Sequence, residues 1–113
     1  MKNRAERIQE LLKKELGQII LREVEMPDDV LVTLTRVMVS GNLQEAKVFI
    51  SVVPDTRAPE VMKTLGQNVY PIQQILNGRL KMRPVPRIRW TAETAGAEAH
   101  RIEELLEQLK EEG

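Results

Sequence analysis

The sequence predicts an α+β fold in a single domain over residues 1–113, and three observations lead to that prediction. Apolar residues recur at helical spacing near both ends of the chain and again in its middle. Two β-like runs flank the turn signal Ser40-Gly41-Asn42 in the first half. A third short run, from Arg87 to Ala92, follows the central helical segment. The predicted order is α-β-β-α-α-β, followed by a C-terminal helix over about 96–111.

The first helix is predicted from Arg4 to Leu21. Its apolar residues follow the helical period, and they are Ile8, Leu11, Leu12, Leu16, Ile19 and Ile20. The helix should stop before Pro27, because the residue that precedes a proline disfavours the α region. Asp28-Asp29 is then expected to form a turn.

The clearest β-hairpin follows. In the first strand, within 30–39, the parity that contains Val32, Leu34 and Met38 is the more apolar, and it is predicted to face the core. In the second strand the residues predicted to face inward are Ala46, Val48, Ile50 and Val52.

Two central helices are predicted next, with a break between them. Pro71 has no amide hydrogen and its ring clashes with the preceding turn, so the helix must break or bend near 68–70. The last strand, Arg87 to Ala92, follows Pro84 and Pro86, which suit an edge strand. Apolar residues then form a stripe on the predicted terminal helix, at Ile102, Leu105, Leu106 and Leu109.

Composition narrows the function classes. The 113 residues include no cysteine, which excludes disulfides and thiolate metal sites, and no apolar run follows the N-terminus. We therefore expect a cytoplasmic protein without a membrane segment. The single histidine, His100, has no evident partner for acid–base or metal chemistry. No catalytic constellation is present, and we expect neither a cofactor nor a metal.

Charge is segregated along the chain although the formal net charge is zero. The stretch from Asn77 to Trp90 contains no acid and five basic residues, here called the basic strip: Arg79, Lys81, Arg83, Arg87 and Arg89. Such a strip suits an anionic partner. It also suits a solvated charged edge that deters pairing between sheets, and the strip alone leaves both readings open.

The order of elements is similar to that of the type II KH domain, a small RNA-binding fold. The residues go further, because the chain resembles the bacterial ribosome-binding factor A family along nearly its whole length. The resemblance is carried by the opening helix from Arg7 to Leu16, by the hairpin from Val32 to Ser51, and by Leu-Lys-Met-Arg-Pro-Val-Pro from Leu80 to Pro86.

The resemblance implies a non-enzymatic assembly factor. It would bind the immature small ribosomal subunit and its ribosomal RNA, assist maturation and RNA processing, use no small-molecule substrate, and be a monomer when free. The family has a short Ala-x-Gly kink between the central helices, and the matching positions here read Asn68-Val69-Tyr70. Tyr70 cannot vacate the space that a glycine leaves, so two contacts with RNA stay open at this point: one made by backbone, and one made by Tyr70 stacking and Gln73 hydrogen bonding.

The candidate RNA-binding residues are therefore the basic strip, the kink residues Asn68, Tyr70 and Gln73, and a second group on the first helix, Arg4, Arg7 and Lys14. For this second group a solvated helix face with pairs such as Glu10 and Lys14 is the alternative. Two other functions stay open. One is a generic KH-type binder of single-stranded RNA, and the other is a protein-interaction module that uses the hairpin edge and the acidic tail.

Overall fold

The computed structural model describes residues 2–93, and their elements follow the predicted order. The bounds are α1 Arg4–Glu23, β1 Leu31–Val39, β2 Glu45–Val53, α2 Ala58–Gln67, α3 Val69–Arg79 and β3 Arg87–Ala92. A short 3-10 turn at Asp55–Arg57 precedes α2. The α+β class is confirmed, whereas the helix predicted over 96–111 lies outside the described residues.

Helix α1 is longer than predicted and ends at Glu23 instead of Leu21. Asn3 caps its N-terminus, where the Asn3 side chain accepts a hydrogen bond of 2.8 Å from the backbone N–H of Glu6. Four side chains at helical spacing are buried along one stripe, and they are Ile8, Leu12, Leu16 and Ile19. This stripe fixes which side of α1 packs on the sheet. No helix in the described part of the chain is long and apolar enough to cross a bilayer.

Within residues 2–93 the sheet has three strands in the order β1-β2-β3. Strand β2 pairs antiparallel with β1 and parallel with β3, so β3 is an edge strand as predicted. The helices cover one face, toward which the predicted inward residues of β2 point, all of them buried: Ala46, Val48, Ile50 and Val52. We call the opposite side the open face, and the exposed side chains on it include Leu31, Arg36, Met38, Lys47, Val53, Arg87 and Arg89.

We predicted that Val32, Leu34 and Met38 share the core face of β1, and this prediction is wrong for Met38. Leu34 pairs with Ile50 but Arg36 pairs with Phe49, so Thr35 is an extra residue in β1. This bulge shifts the alternation by one position, because the side-chain period of a strand is two residues. Val37 is therefore buried at 4 % exposure, and Met38 is 48 % exposed.

The predicted break between the central helices is confirmed, and it lies at Asn68. This residue has φ −104° and ψ 5°, and it is the C-cap of α2 as well as the N-cap of α3. Its side-chain nitrogen donates a 2.8 Å hydrogen bond to the carbonyl of Thr64 in the last turn of α2. Pro71 consequently lies in the first turn of α3, where the missing amide hydrogen breaks no helical hydrogen bond.

Candidate nucleic-acid interface

The side-chain amide of Gln73 joins α3 to the start of β3. Gln73 Oε1 accepts a 2.9 Å hydrogen bond from the backbone N–H of Ile88, and Gln73 Nε2 donates to Pro86 O at 3.1 Å. The same nitrogen donates to Asn77 Oδ1 at 3.0 Å. The predicted RNA ligand Gln73 thus has its amide engaged within the protein, where it satisfies the outer edge of β3.

Next to this junction, two predicted basic residues line a surface cavity of about 350 Å³. Its walls are Gln73, Asn77, Arg83, Pro84, Val85 and Arg87. A second cavity of about 380 Å³ shares Pro84, Val85 and Arg87 and extends to Gln44 and Glu45. Arg87 therefore borders both cavities, which together form one cationic depression beside the Pro84-Val85 wall. We call this depression the Arg83–Arg87 pocket.

The guanidinium of Arg83 is held in place by backbone. Its Nη1 donates to Leu80 O at 2.8 Å and to Met82 O at 2.7 Å. These bonds use both hydrogens on Nη1, so the N–H groups on Nε and Nη2 remain as donors for a ligand. A guanidinium that is already oriented loses less conformational entropy when it binds an anion than a mobile lysine does.

Tyr70 extends this surface along α3. Residues 70, 73 and 77 are spaced by three and four positions, which puts them on one side of the helix. The Tyr70 side chain is 73 % exposed at the start of the helix. It offers an aromatic ring on the same side of α3 as the Arg83–Arg87 pocket. Asn68, in contrast, uses its side chain to close α2, as described above.

Arg79 does not contribute a freely exposed charge. Its Nη1 donates to Glu15 Oε2 at 3.1 Å and to Gln18 Oε1 at 3.3 Å, and these bonds join the end of α3 to α1. Lys81, two residues further along, is exposed. It lines a shallow depression of about 420 Å³ together with Arg4. Arg4 and Lys81 therefore border the same depression, which Glu15 and Arg79 also line, and we call them the Arg4–Lys81 pair.

The remaining candidates lie elsewhere. Arg89 is on the open face, two residues after Arg87 on the same side of β3, with its Nη1 3.9 Å from Glu45 Oε2. Arg7 and Lys14 are exposed on α1. The pair considered between Glu10 and Lys14 is not formed, because the Glu10 carboxylate contacts Lys2 instead. The predicted set is thus divided between the Arg83–Arg87 pocket, the Arg4–Lys81 pair, the open face and α1.

Two residues that sequence reasoning did not select belong to these surfaces. Asn77 lines the Arg83–Arg87 pocket, and its position one helical turn after Gln73 was the available signal. Lys47 is the register partner of Arg89 across the β2–β3 pair, so two cations lie side by side on the open face. That proximity depends on the register of a parallel pair, which the sequence does not reveal.

The arrangement offers groups that can bind an anionic partner. The Arg83–Arg87 pocket offers guanidinium donors that match phosphate oxygens, and Tyr70 offers a ring on which a base can stack. No group of three or more His, Asp or Glu side chains within residues 2–93 is placed to hold a metal ion. The fold and the site together define a small α+β domain with a cationic surface.

Comparison with known proteins agrees with this class. Residues 4–106 match the family model described as ribosome-binding factor A, and the chain belongs to that family. It is 39 % identical over 112 residues to the ribosome-binding factor A of Halothermothrix orenii, a match that covers 98 % of this chain and 92 % of that protein. The family consists of ribosome-binding factors and not of enzymes, which confirms the prediction of a non-catalytic protein.

Solved structures show the same fold. The crystal structure of ribosome-binding factor A from Thermus thermophilus matches with a TM-score of 0.65 at 19 % identity, over 78 % of this chain and 93 % of that one. A homology model of the Thermus thermophilus factor, fitted into a cryo-EM map of a 30S complex, matches with a TM-score of 0.61 at 23 % identity, over 74 % and 88 % of the two chains.

Proposed function

We propose that this protein is a non-catalytic assembly factor that binds the immature small ribosomal subunit in the cytoplasm and assists its maturation and the processing of its RNA. The observation that carries the proposal is family membership across residues 4–106. A related Thermus thermophilus factor has been fitted into a map of a 30S complex, which supports the small subunit as the partner. In this proposal residues 1–113 act as one KH-like domain that is a monomer when free.

The contact with ribosomal RNA is assigned to the surface that contains the Arg83–Arg87 pocket. Arg83 and Arg87 bind phosphate oxygens, and Tyr70 stacks on an unpaired base. Arg4 and Lys81 extend the cationic surface, whereas Arg79 and Gln73 maintain the fold, because their polar groups bond within the protein. Binding of this kind displaces counterions from the RNA, so its affinity must fall as salt rises.

Cosedimentation with precursor small subunits over a salt series tests this assignment. Arg87→Gln removes one charge from the Arg83–Arg87 pocket. We expect it to weaken binding by about tenfold, equivalent to about 1.4 kcal/mol, and to reduce the slope of log affinity against log salt by roughly one. Lys63→Gln on α2 is the matched control, because it removes an exposed charge outside the proposed contact surface. The control should leave the affinity within twofold.

The two other functions predict different results in the same experiment. A generic single-strand RNA binder would bind short unstructured RNA as tightly as it binds the precursor subunit. A protein-interaction module would keep its partner after nuclease treatment. Equal loss of affinity in Arg87→Gln and Lys63→Gln would refute the assignment of the contact to the Arg83–Arg87 pocket.

A further inference from the structure

An apolar cleft of about 390 Å³ lies between α1 and β1, at the edge of the sheet away from β3. The residues of these two elements that line it include Gly17, Ile20, Leu21, Val32 and Leu34. Leu21 is 84 % exposed. Gly17 leaves part of the cleft unfilled, since a Cβ atom built on it would meet no neighbouring atom within 4 Å. Apolar residues around such a concave surface indicate a place where a partner is buried.

Strand β1 presents an unpaired backbone edge beside this cleft. Within residues 2–93 it pairs with β2 alone, so every second residue points its N–H and C=O away from the sheet. Near the hairpin turn this edge is closed, because Val39 donates its N–H to Gln9 Oε1 of α1 at 3.1 Å. The bulge at Thr35 separates that end from residues 31–34, which border the cleft. A strand added at 31–34 would lie about 4.8 Å from β1 and cover the cleft.

The segment from the end of α1 to the start of β1 makes the surroundings of the cleft acidic. Residues 22–30 contribute three apolar residues to the lining, and their exposed charges are one base, Arg22, and four acids. These acids are Glu23, Glu25, Asp28 and Asp29. Arg57 pairs with Asp29, but the four acids still outnumber the two bases. A negative potential of this kind repels the phosphates of RNA and attracts Lys and Arg side chains.

We propose that the cleft and the edge of β1 at 31–34 bind an extended, positively charged segment of a partner protein. The segment adds as a strand beside β1, and main-chain hydrogen bonds hold it there. Its successive side chains point in opposite directions, so apolar side chains enter the cleft while Lys or Arg side chains reach the acids of 22–30. The Arg83–Arg87 pocket lies beside β3, on the far side of β2, so RNA and this segment can bind at the same time.

An NMR titration of the isotope-enriched full-length protein with synthetic peptides tests this proposal. The first probe is a capped six-residue peptide in which lysine and valine alternate. We expect it to shift the amide signals of Val32, Leu34 and residues 17–24, and to leave those of β3 unchanged. A peptide that alternates glutamate and valine should cause no shifts, because the acids repel it. A peptide of three lysines followed by three valines should bind at least about tenfold more weakly, because it lacks the alternation of a strand.

Two matched glycine substitutions separate the cleft from the rest of the surface. Gly17→Leu places a side chain in the cleft, whereas Gly66→Leu makes the same change on α2, where a Cβ atom also meets no neighbouring atom within 4 Å. We expect Gly17→Leu to weaken binding of the lysine–valine peptide by about tenfold or more, and Gly66→Leu to change it by about twofold or less. Neither variant should lower the midpoint of thermal unfolding, since leucine is a better helix former than glycine.

Four results would overturn the proposal. The first is an absence of shifts at millimolar peptide, and the second is equal affinity of the Gly17→Leu and Gly66→Leu variants for it. Shifts at Val32 and Leu34 caused by a short single-stranded RNA would assign the cleft to RNA. Shifts of the same amides when the protein alone is diluted would make a second copy of the chain the occupant. Each readout is made on the free protein, so failure here is distinct from failure of the proposed ribosome binding.

Discussion

At the scale of single residues, the polar groups of Gln73 and Arg79 form hydrogen bonds within the protein that the sequence pattern did not indicate. Gln73 was a candidate RNA ligand because it follows the kink between the central helices, and Arg79 because it belongs to the basic strip. In the structure Gln73 completes the hydrogen bonding of an edge strand, and Arg79 joins α3 to Glu15 of α1. Their partners are distant in sequence, so no local pattern could have revealed these roles.

The structural role of Gln73 is testable by comparison with its neighbour. Gln73→Leu leaves the Ile88 amide and the Pro86 carbonyl without their partner. We expect the free energy of unfolding to fall by about 1–3 kcal/mol, the cost of unsatisfied, partly buried polar groups. Gln74→Leu is the control, because Gln74 is exposed on the same helix, and it should change stability by about 0.5 kcal/mol or less. Urea unfolding measures both, and equal effects would contradict the role of Gln73.

A second residue-scale prediction concerns Asp29. The pKa of the Asp29 carboxyl lies below its ordinary value of 3.8. The main cause is the hydrogen bond that Arg57 donates to the carboxylate, and a backbone hydrogen bond is the second. The carboxylate is therefore favoured in the folded protein. Its contribution to stability is present above the ordinary pKa and is lost as the pH falls through the lowered folded pKa.

Arg57→Gln should raise the pKa of Asp29 toward its ordinary value, and an NMR titration of the Asp29 side-chain carboxyl measures this change. Lys63→Gln, a change on α2 away from the pair, should leave the pKa of Asp29 unchanged. An Asp29 pKa that is equal in the wild type and in Arg57→Gln would show that the hydrogen bond does not persist in solution.

At the scale of elements, the sequence predicts where helices and strands lie more reliably than how they face. The break between the central helices was predictable because Pro71 excludes a continuous helix, and the hairpin was predictable from its turn residues. Which side chains of β1 face the core was not predictable, because the bulge at Thr35 shifts the alternation of inward and outward side chains by one position. A bulge of this kind is stabilised by tertiary contacts, here to Phe49 O at 3.2 Å and to Glu93.

Because Thr35 stabilises the bulge, we expect two similar substitutions in β1 to differ in their effect on the free energy of unfolding. Thr35→Val keeps the shape of the side chain but removes the hydroxyl, whose single hydrogen is shared between Phe49 O and the buried Glu93 carboxylate. We expect a loss of about 1–3 kcal/mol in the free energy of unfolding. Thr33→Val, at an exposed position of the same strand, should change it by about 0.5 kcal/mol or less. Similar losses in thermal or urea unfolding would contradict the explanation.

At the scale of the whole molecule, a neutral formal charge conceals two parts of opposite sign. Residues 1–93 contain fifteen Lys and Arg against eleven Asp and Glu, whereas residues 94–113 contain two against six. The sequence predicted this segregation and the family. It could not predict which cations converge, because the Arg83–Arg87 pocket depends on α3 packing beside the start of β3. Folding thus reduced a strip of five basic residues to two that line the pocket.

In the proposed function, ribosomal RNA lies against the surface formed by Tyr70, Asn77, Arg83 and Arg87. The most direct test replaces Tyr70 with a photo-crosslinking amino acid and irradiates the protein bound to precursor small subunits. Leu21, which is 84 % exposed on α1, is the comparison site. We expect a crosslink to ribosomal RNA from position 70 and none from position 21. A crosslink from position 21, with none from position 70, would contradict it.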